Sequence, residues 1–281
     1  MLRRPVFEKE PVSKLAAWSG RLGVFALAVA ALSVIILRSG LLEIVPALAT
    51  FAAALVFAGL AILLAFASFV TIWRQGLSGL GYSLLGILLG ILLLAYPGYL
   101  GYRGLKLPAI SDITTDPTNP PRYDVLARLR PRGRVDYPGA AVADKQRAAY
   151  PDIQPLQLAL PAKSAYDVAL AIITKRKWLI VDTRAPSATR RDGSIEAVAR
   201  TPIMGFRDDV VIRITPNAQG TRVDARSASR YGTHDFGANA ARLRAFLEDL
   251  DDQAGNVSEP RAEEPKKPAP APKRPPANRR Q

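Results

Sequence analysis

The sequence predicts an α+β chain in two parts: three N-terminal transmembrane helices, then an antiparallel β-sheet domain with two helices packed on one face. Three observations carry this. Between Leu22 and Tyr102 three apolar runs leave only Arg38, Glu43 and Arg74 charged. From Leu156 onward, short stretches alternate apolar and polar residues between turn formers, which is the period of a half-buried strand. Two further stretches carry an apolar stripe at helical spacing, one near the start of that region and one closing it. The predicted order is β-α-β-β-β-β-α.

Composition bounds the function. The chain has 281 residues, room for a three-helix membrane block and one soluble domain of about 100–150 residues. The formal charge of +14 is spread along the chain rather than gathered with aromatics on one face, so no nucleic-acid partner is expected and phospholipid headgroups are the nearer anion. There is no cysteine and one histidine, His234. Disulfides, thiolate catalysis, cysteine zinc sites and multi-histidine metal sites are therefore excluded, and no cofactor is expected.

Residues 1–21 form a basic N-terminus with Arg3, Arg4, Lys9, Lys14 and Arg21. The membrane block, 22–102, contains the runs Leu22–Leu37, Pro46–Trp73 and Leu77–Tyr102. The last two exceed the roughly 20 residues needed to cross a bilayer. The first is shorter, and Ala16–Trp18 extend it if Arg21 snorkels to the headgroups. It runs through Val34–Leu37 without a small-residue exit, so it is read as an uncleaved helix rather than a signal peptide. With the N-terminus in the cytoplasm, the five basic residues above and Arg74 lie inside, against Arg38, Arg103 and Lys106 outside. The positive-inside rule favours that orientation. The expected location is thus a bacterial inner membrane, with the C-terminal domain periplasmic. No span carries an ionisable residue at its centre, so the block reads as an anchor rather than a conduit. Gly86 and Gly90 have the GxxxG spacing, which serves either packing inside the bundle or a homodimer face.

Residues 103–155 form a proline-rich connection, with Pro108, Pro117, Pro120, Pro121, Pro131, Pro138, Pro151 and Pro155 breaking long elements. Apolar anchors such as Ile110 and Ile153 favour its wrapping the domain over a loose tether. In the domain, 156–252, Leu156–Leu160 is a strand and Ser164 with Asp167 forms a capping box for a helix to about Lys175. Trp178–Val181, Ser194–Thr201, Asp209–Thr215 and Arg222–Ser229 are strands. Asp235 caps a closing helix whose stripe is Leu243, Phe246, Leu247 and Leu250. The outward positions Glu196, Arg200, Arg213, Arg222, Asp224 and Arg226 form a cross-strand charge ladder, read as a solvated face or else an anion-binding surface. The tail, 253–281, interleaves proline, alanine and lysine and is expected to be disordered.

Ile195–Pro202, Gly205–Ile214 and the Ser-Arg-Tyr-Gly to Asp-Phe-Gly-Ala-Asn pattern within Arg226–Arg242 resemble the bacterial and plastid family called domain of unknown function 1499. Ile110–Pro121 is similar to the segment that opens that family's domain. The resemblance implies no established activity. Exported members of the family support the placement outside the cytoplasm.

The candidate site follows from counting strand ends. The exit of Ser194–Thr201, the start of Asp209–Thr215 and the exit of Arg222–Ser229 lie at one end of an antiparallel sheet. Arg200, Asp208, Asp209, Arg230 and the start of the helix capped by Asp235 converge there, with Asn239 and Arg242 one and two turns in, beside a hairpin carrying Ile203, Met204 and Phe206. The expectation is that Arg200, Arg230 and Arg242 hold an anionic headgroup while the hairpin meets its apolar part. The other reading has Arg230 and Asp235 bracing the strand-to-helix joint. No catalytic constellation is found: a Ser–His–Asp set from Ser227 or Ser229, His234 and Asp235 would need adjacent His and Asp in one turn, poor geometry for a relay. The expected role is non-enzymatic, a membrane-anchored envelope protein whose domain binds a lipid or other amphipathic anionic ligand. The alternative is an envelope assembly component acting through protein contacts.

Overall fold

The computed structural model describes residues 10–40, 43–130 and 136–258. Three helices, α1 (Lys14–Ser39), α2 (Ile44–Gln75) and α3 (Leu80–Lys106), are long and apolar enough to cross a membrane. Their packing inverts that of a soluble bundle. The buried positions are small: Ser19, Gly20, Gly23 and Ala26 on α1, Ala54, Ala58, Ala61 and Ala65 on α2, and Ser83, Gly86 and Gly90 on α3. Large side chains such as Leu63, Phe66, Leu88 and Leu92 point outward. This is the pattern of helices that associate in a bilayer, where lipid would solvate such side chains and association relies on close backbone approach and interhelical hydrogen bonds. A Cβ on Gly86 would sit 1.9 Å from Ser19 Oγ, and one on Gly90 would sit 2.9 Å from the Ala58 carbonyl oxygen. Both glycines of the GxxxG spacing are thus occupied inside the bundle. Ser68 and Ser83 hydrogen-bond at 2.6 Å, and Ser19 Oγ donates to the Ala61 carbonyl at 2.8 Å.

Beyond the helices come β1 (Asp112–Thr114), α4 (Val125–Leu129), α5 (Ala140–Ala149), β2 (Leu156–Leu158), α6 (Ala162–Lys175), β3 (Leu179–Arg184), β4 (Gly193–Arg200), β5 (Arg207–Asn217), β6 (Gly220–Ser229) and α7 (Ala238–Ser258). The sheet is antiparallel in the order β1-β6-β5-β4-β3, and β2 also pairs with β6. The alternation fixes its core face. Ile195, Ala197, Val210, Ile212, Ile214, Val223 and Ala225 meet α6 through Ala169, Ile172 and Ile173, and α7 through Leu243, Phe246 and Leu250. The α+β architecture read from the sequence is the observed one. Several boundaries move. Helix α6 starts at Ala162 after Pro161, without a side-chain cap, so Ser164 and Asp167 lie inside it. Helix α7 runs to Ser258, six residues beyond 252. The proline-rich part of the tail, 259–281, lies outside the described residues, as do residues 1–9.

The opposite sheet face departs from the solvated ladder expected of it. Glu196, Asp224 and Arg226 are buried beneath residues 115–130, which lie across that face with Tyr123 and Leu126 against Val198 and Val211. Burial is tolerable because each charge has partners. Glu196 accepts the backbone N–H groups of Asp124 and Leu126 at 2.7 Å and of Val125 at 3.3 Å, holding the start of α4 onto the sheet. Arg226 grips Asp112 through two hydrogen bonds at 2.9 and 2.7 Å. Asp224 takes Arg213 and Arg222.

Candidate functional site

The end of the sheet where β4 exits and β5 starts lies against the ends of the apolar helices. Arg38, at the end of α1, donates to the carbonyls of Pro202 and Ile203 in the β4–β5 hairpin at 2.7 and 3.1 Å. At the end of α3, His234 Nε2 faces the Gly104 carbonyl at 3.3 Å and the Phe236 ring packs against Gly104. The hairpin tip thus meets the helix ends, and residues 231–238 complete the joint.

Between them lies a cleft of about 610 Å³. The helices contribute Ile44, Leu48, Tyr96, Tyr99, Leu100 and Arg103; the domain contributes Met204, Phe206, Arg207, Tyr231 and His234 to Phe236. An adjoining hollow brings Leu37, Glu43, Arg207 and Arg230 to the same junction. Phe206 and Tyr231 lie with ring centroids 6.5 Å apart, and Arg103 sits over the Tyr99 ring at 5.8 Å.

Of the predicted site residues, Met204 and Phe206 line the cleft, whereas Ile203 stays on the exposed tip. The arginines divide. Arg230 is paired with Asp209 at 2.7 Å, where Arg130 also binds, and Arg242 is paired with Asp208. These pairs are largely buried, so neither guanidinium is available to a headgroup, which corrects the role expected of Arg230 and Arg242. The reason is register: after Arg207, β5 carries Asp208 and Asp209 on opposite faces, and each pairs with a nearby cation. Arg200 is exposed, and its Nη1 lies 3.5 Å from the Arg38 carbonyl. Asn239 is fully buried, accepting Ser227 Oγ at 2.7 Å and donating to Ser229 Oγ and to the Ser111 carbonyl. It knits β6, α7 and the segment before β1 together.

Asp235 accepts the backbone N–H groups of Gly237 and Asn239, both at 2.8 Å, and so caps α7 from just ahead of it. Burial raises its carboxyl above the usual aspartate range, with help from the neighbouring Asp208 charge and against the two backbone hydrogen bonds. Gly237 has φ 77°, and a Cβ there would lie 2.7 Å from Arg103 Nη2. Only glycine fits both the left-handed turn and the guanidinium. His234 Nδ1 accepts the Phe236 N–H at 3.0 Å and its ring stacks on Phe236. Both its nitrogens thus face backbone groups, while Ser227 and Ser229 are engaged with Asn239. Among the described residues no group of three His, Asp or Glu side chains could hold a metal ion.

Sequence reading missed the helix side of the cleft. The signal was present: Tyr96, Tyr99, Tyr102 and Arg103 close the third apolar run as an interfacial aromatic belt with a basic anchor. By local pattern they mark only the end of an apolar run, and nothing in it ties them to the hairpin at 201–206 or to residues 231–238, about a hundred residues further on.

Three helices long and apolar enough to cross a membrane, followed by an α+β domain, with a cleft where the two meet, define the class of this protein. Residues 112–250 match the family model described as Protein of unknown function (DUF1499), the family that the sequence resembles. A crystal structure of protein MLL2253 from Mesorhizobium loti aligns with 13% identity and a TM-score of 0.28, covering 37% of this chain and 96% of that one. No curated protein matches the chain.

Proposed function

We propose that this protein is a non-catalytic, membrane-anchored binding protein of the bacterial inner membrane, its domain on the periplasmic side, which takes an amphipathic molecule from the adjoining leaflet into the cleft. One observation carries the reading. The cleft lies where the ends of α2 and α3 meet the domain, and its lining is largely apolar and aromatic, with Arg103, Arg207 and His234 among the polar groups. Its volume falls within the range of about 300–1,000 Å³ usual for small-molecule sites. Orientation rests on the Lys/Arg asymmetry around the spans.

The test is lipid retention. The full chain, extracted in mild detergent, is expected to carry bound lipid into native mass spectrometry. Met204→Ser, which puts a polar side chain on the apolar wall, should lose most of it while keeping the wild-type circular dichroism. Absence of retained lipid from the wild type, or full retention by the variant, would refute the cleft as the site.

A second reading, assembly through protein contacts, has one observation in its favour. Strand β3 is a sheet edge, and it exposes Leu179 at 64% and Ile180 at 36%. Exposed apolar edges pair with other chains.

A further inference from the structure

We infer that the cleft reads a negatively charged phosphate headgroup through Arg207 and Arg103, so that its ligand is an anionic phospholipid. The inference rests on the reading of the cleft as a site for an amphipath.

Three of the carboxylates around the junction are already answered. Asp208 is paired with Arg242, Asp209 with Arg130 and Arg230, and Asp235 accepts two backbone N–H groups. The cations are not. Among the described residues none of Arg38, Arg103, Arg200 and Arg207 lies within salt-bridge distance of a carboxylate. Arg207 is exposed at the first position of β5, and its register partner across the hairpin is Arg200. Like charges directly opposite each other on adjacent strands destabilise a sheet. Arg38 brings a third cation to the hairpin by binding the carbonyls of Pro202 and Ile203. Glu43, in the adjoining hollow, leaves the cations in excess.

Arg103 faces this group from the helix side. It is held over Tyr99 and against the backbone of Gly237, so its guanidinium is positioned without a carboxylate. A bound anion would relieve the repulsion between Arg200 and Arg207 and give both cleft arginines a partner. Phosphate suits them because a planar guanidinium donates two parallel hydrogen bonds to its oxygens. The inner wall of Ile44, Leu48, Leu100, Met204 and Phe206 offers nothing to a free phosphate, and fits the acyl end of a lipid.

The full chain in detergent would be offered equimolar dioleoyl phosphatidylglycerol and dioleoyl phosphatidylcholine, and the retained lipids counted by native mass spectrometry. Wild type should prefer phosphatidylglycerol by about tenfold, the scale of one or two charge-assisted contacts at a half-exposed site. Arg103→Gln with Arg207→Gln, checked for native circular dichroism, should bring the two lipids to near parity without abolishing retention. Lys163→Gln, at the far end of the domain, should leave the preference intact. Equal retention by the wild type would overturn the headgroup assignment while leaving the cleft reading standing. No retention of either lipid would overturn both. A preference that survives the double change, or displacement of the lipid by glycerol phosphate at equal concentration, would overturn the role of these arginines or the lipid as source.

Discussion

Arg226 is the residue whose removal should most clearly expose how the second layer is held. It is 2% exposed. Its Nε and Nη2 donate to the two carboxylate oxygens of Asp112 at 2.9 and 2.7 Å, and Nη1 donates to the Pro121 carbonyl at 3.1 Å. The guanidinium lies 4.7 Å from the Tyr123 ring centroid and 5.6 Å from that of Tyr137. Arg226→Met keeps the volume but leaves the Asp112 carboxylate buried and unpaired, which costs about 3–5 kcal/mol. Asp112→Leu strands the guanidinium at a similar cost of about 3–5 kcal/mol. The double change removes both charges, and by the same reasoning should cost only about 0–2 kcal/mol. For a domain of this size each kcal/mol moves the melting temperature by roughly 3–4 °C, so each single variant should melt about 9–20 °C lower. Thermal unfolding of the full chain in detergent, followed by near-ultraviolet circular dichroism, reads all four proteins. Free-energy changes that add to within about 0.5 kcal/mol would show that the two residues act independently, and the account of the buried face would fail.

Other consequences follow from packing and charge. Phe246→Ala removes a fully buried ring lying 5.9 Å from Trp178 and should cost about 3–5 kcal/mol, whereas Arg244→Ala breaks a half-exposed pair with Asp152 and should cost under about 1 kcal/mol; equal melting shifts would contradict the phase of α7. Gly86→Ala drives a methyl into Ser19 and should lower bundle stability by about 1–3 kcal/mol, while Gly98→Ala, with nothing within 4 Å, should change it by less than about 1 kcal/mol; a detergent melting series distinguishes them. Asp235 has a raised carboxyl pKa, so between the ordinary aspartate range and that raised value the folded state holds a proton that the unfolded state has released. Stability should therefore fall as pH rises through that window. Urea titrations across it should show a flatter slope for Asp235→Asn, and an unchanged slope would remove the burial argument.

The sequence by itself determined the three long apolar helices, the order of the domain's elements and the family that residues 112–250 match. Each is written in local periodicity: uninterrupted apolar runs, alternation at two residues in β4 to β6, a stripe at helical spacing in α7. It also brought Met204, Phe206, Arg230 and Asp235 to one end of the sheet, because antiparallel pairing leaves no other arrangement of those strand ends. Only the tertiary structure decided which side chains remained available there. Whether Arg242 faces solvent or Asp208 depends on how α7 lies across the sheet, and that pairing is encoded in neither segment alone. The same holds for Glu196 and Arg226, which alternate like surface residues yet lie under a layer folded from sequence some seventy to a hundred residues earlier. The cleft is further still from local pattern. It forms where the ends of α2 and α3 meet the 201–208 and 231–238 loops, and no period in the chain records that distant pieces of backbone will share one wall.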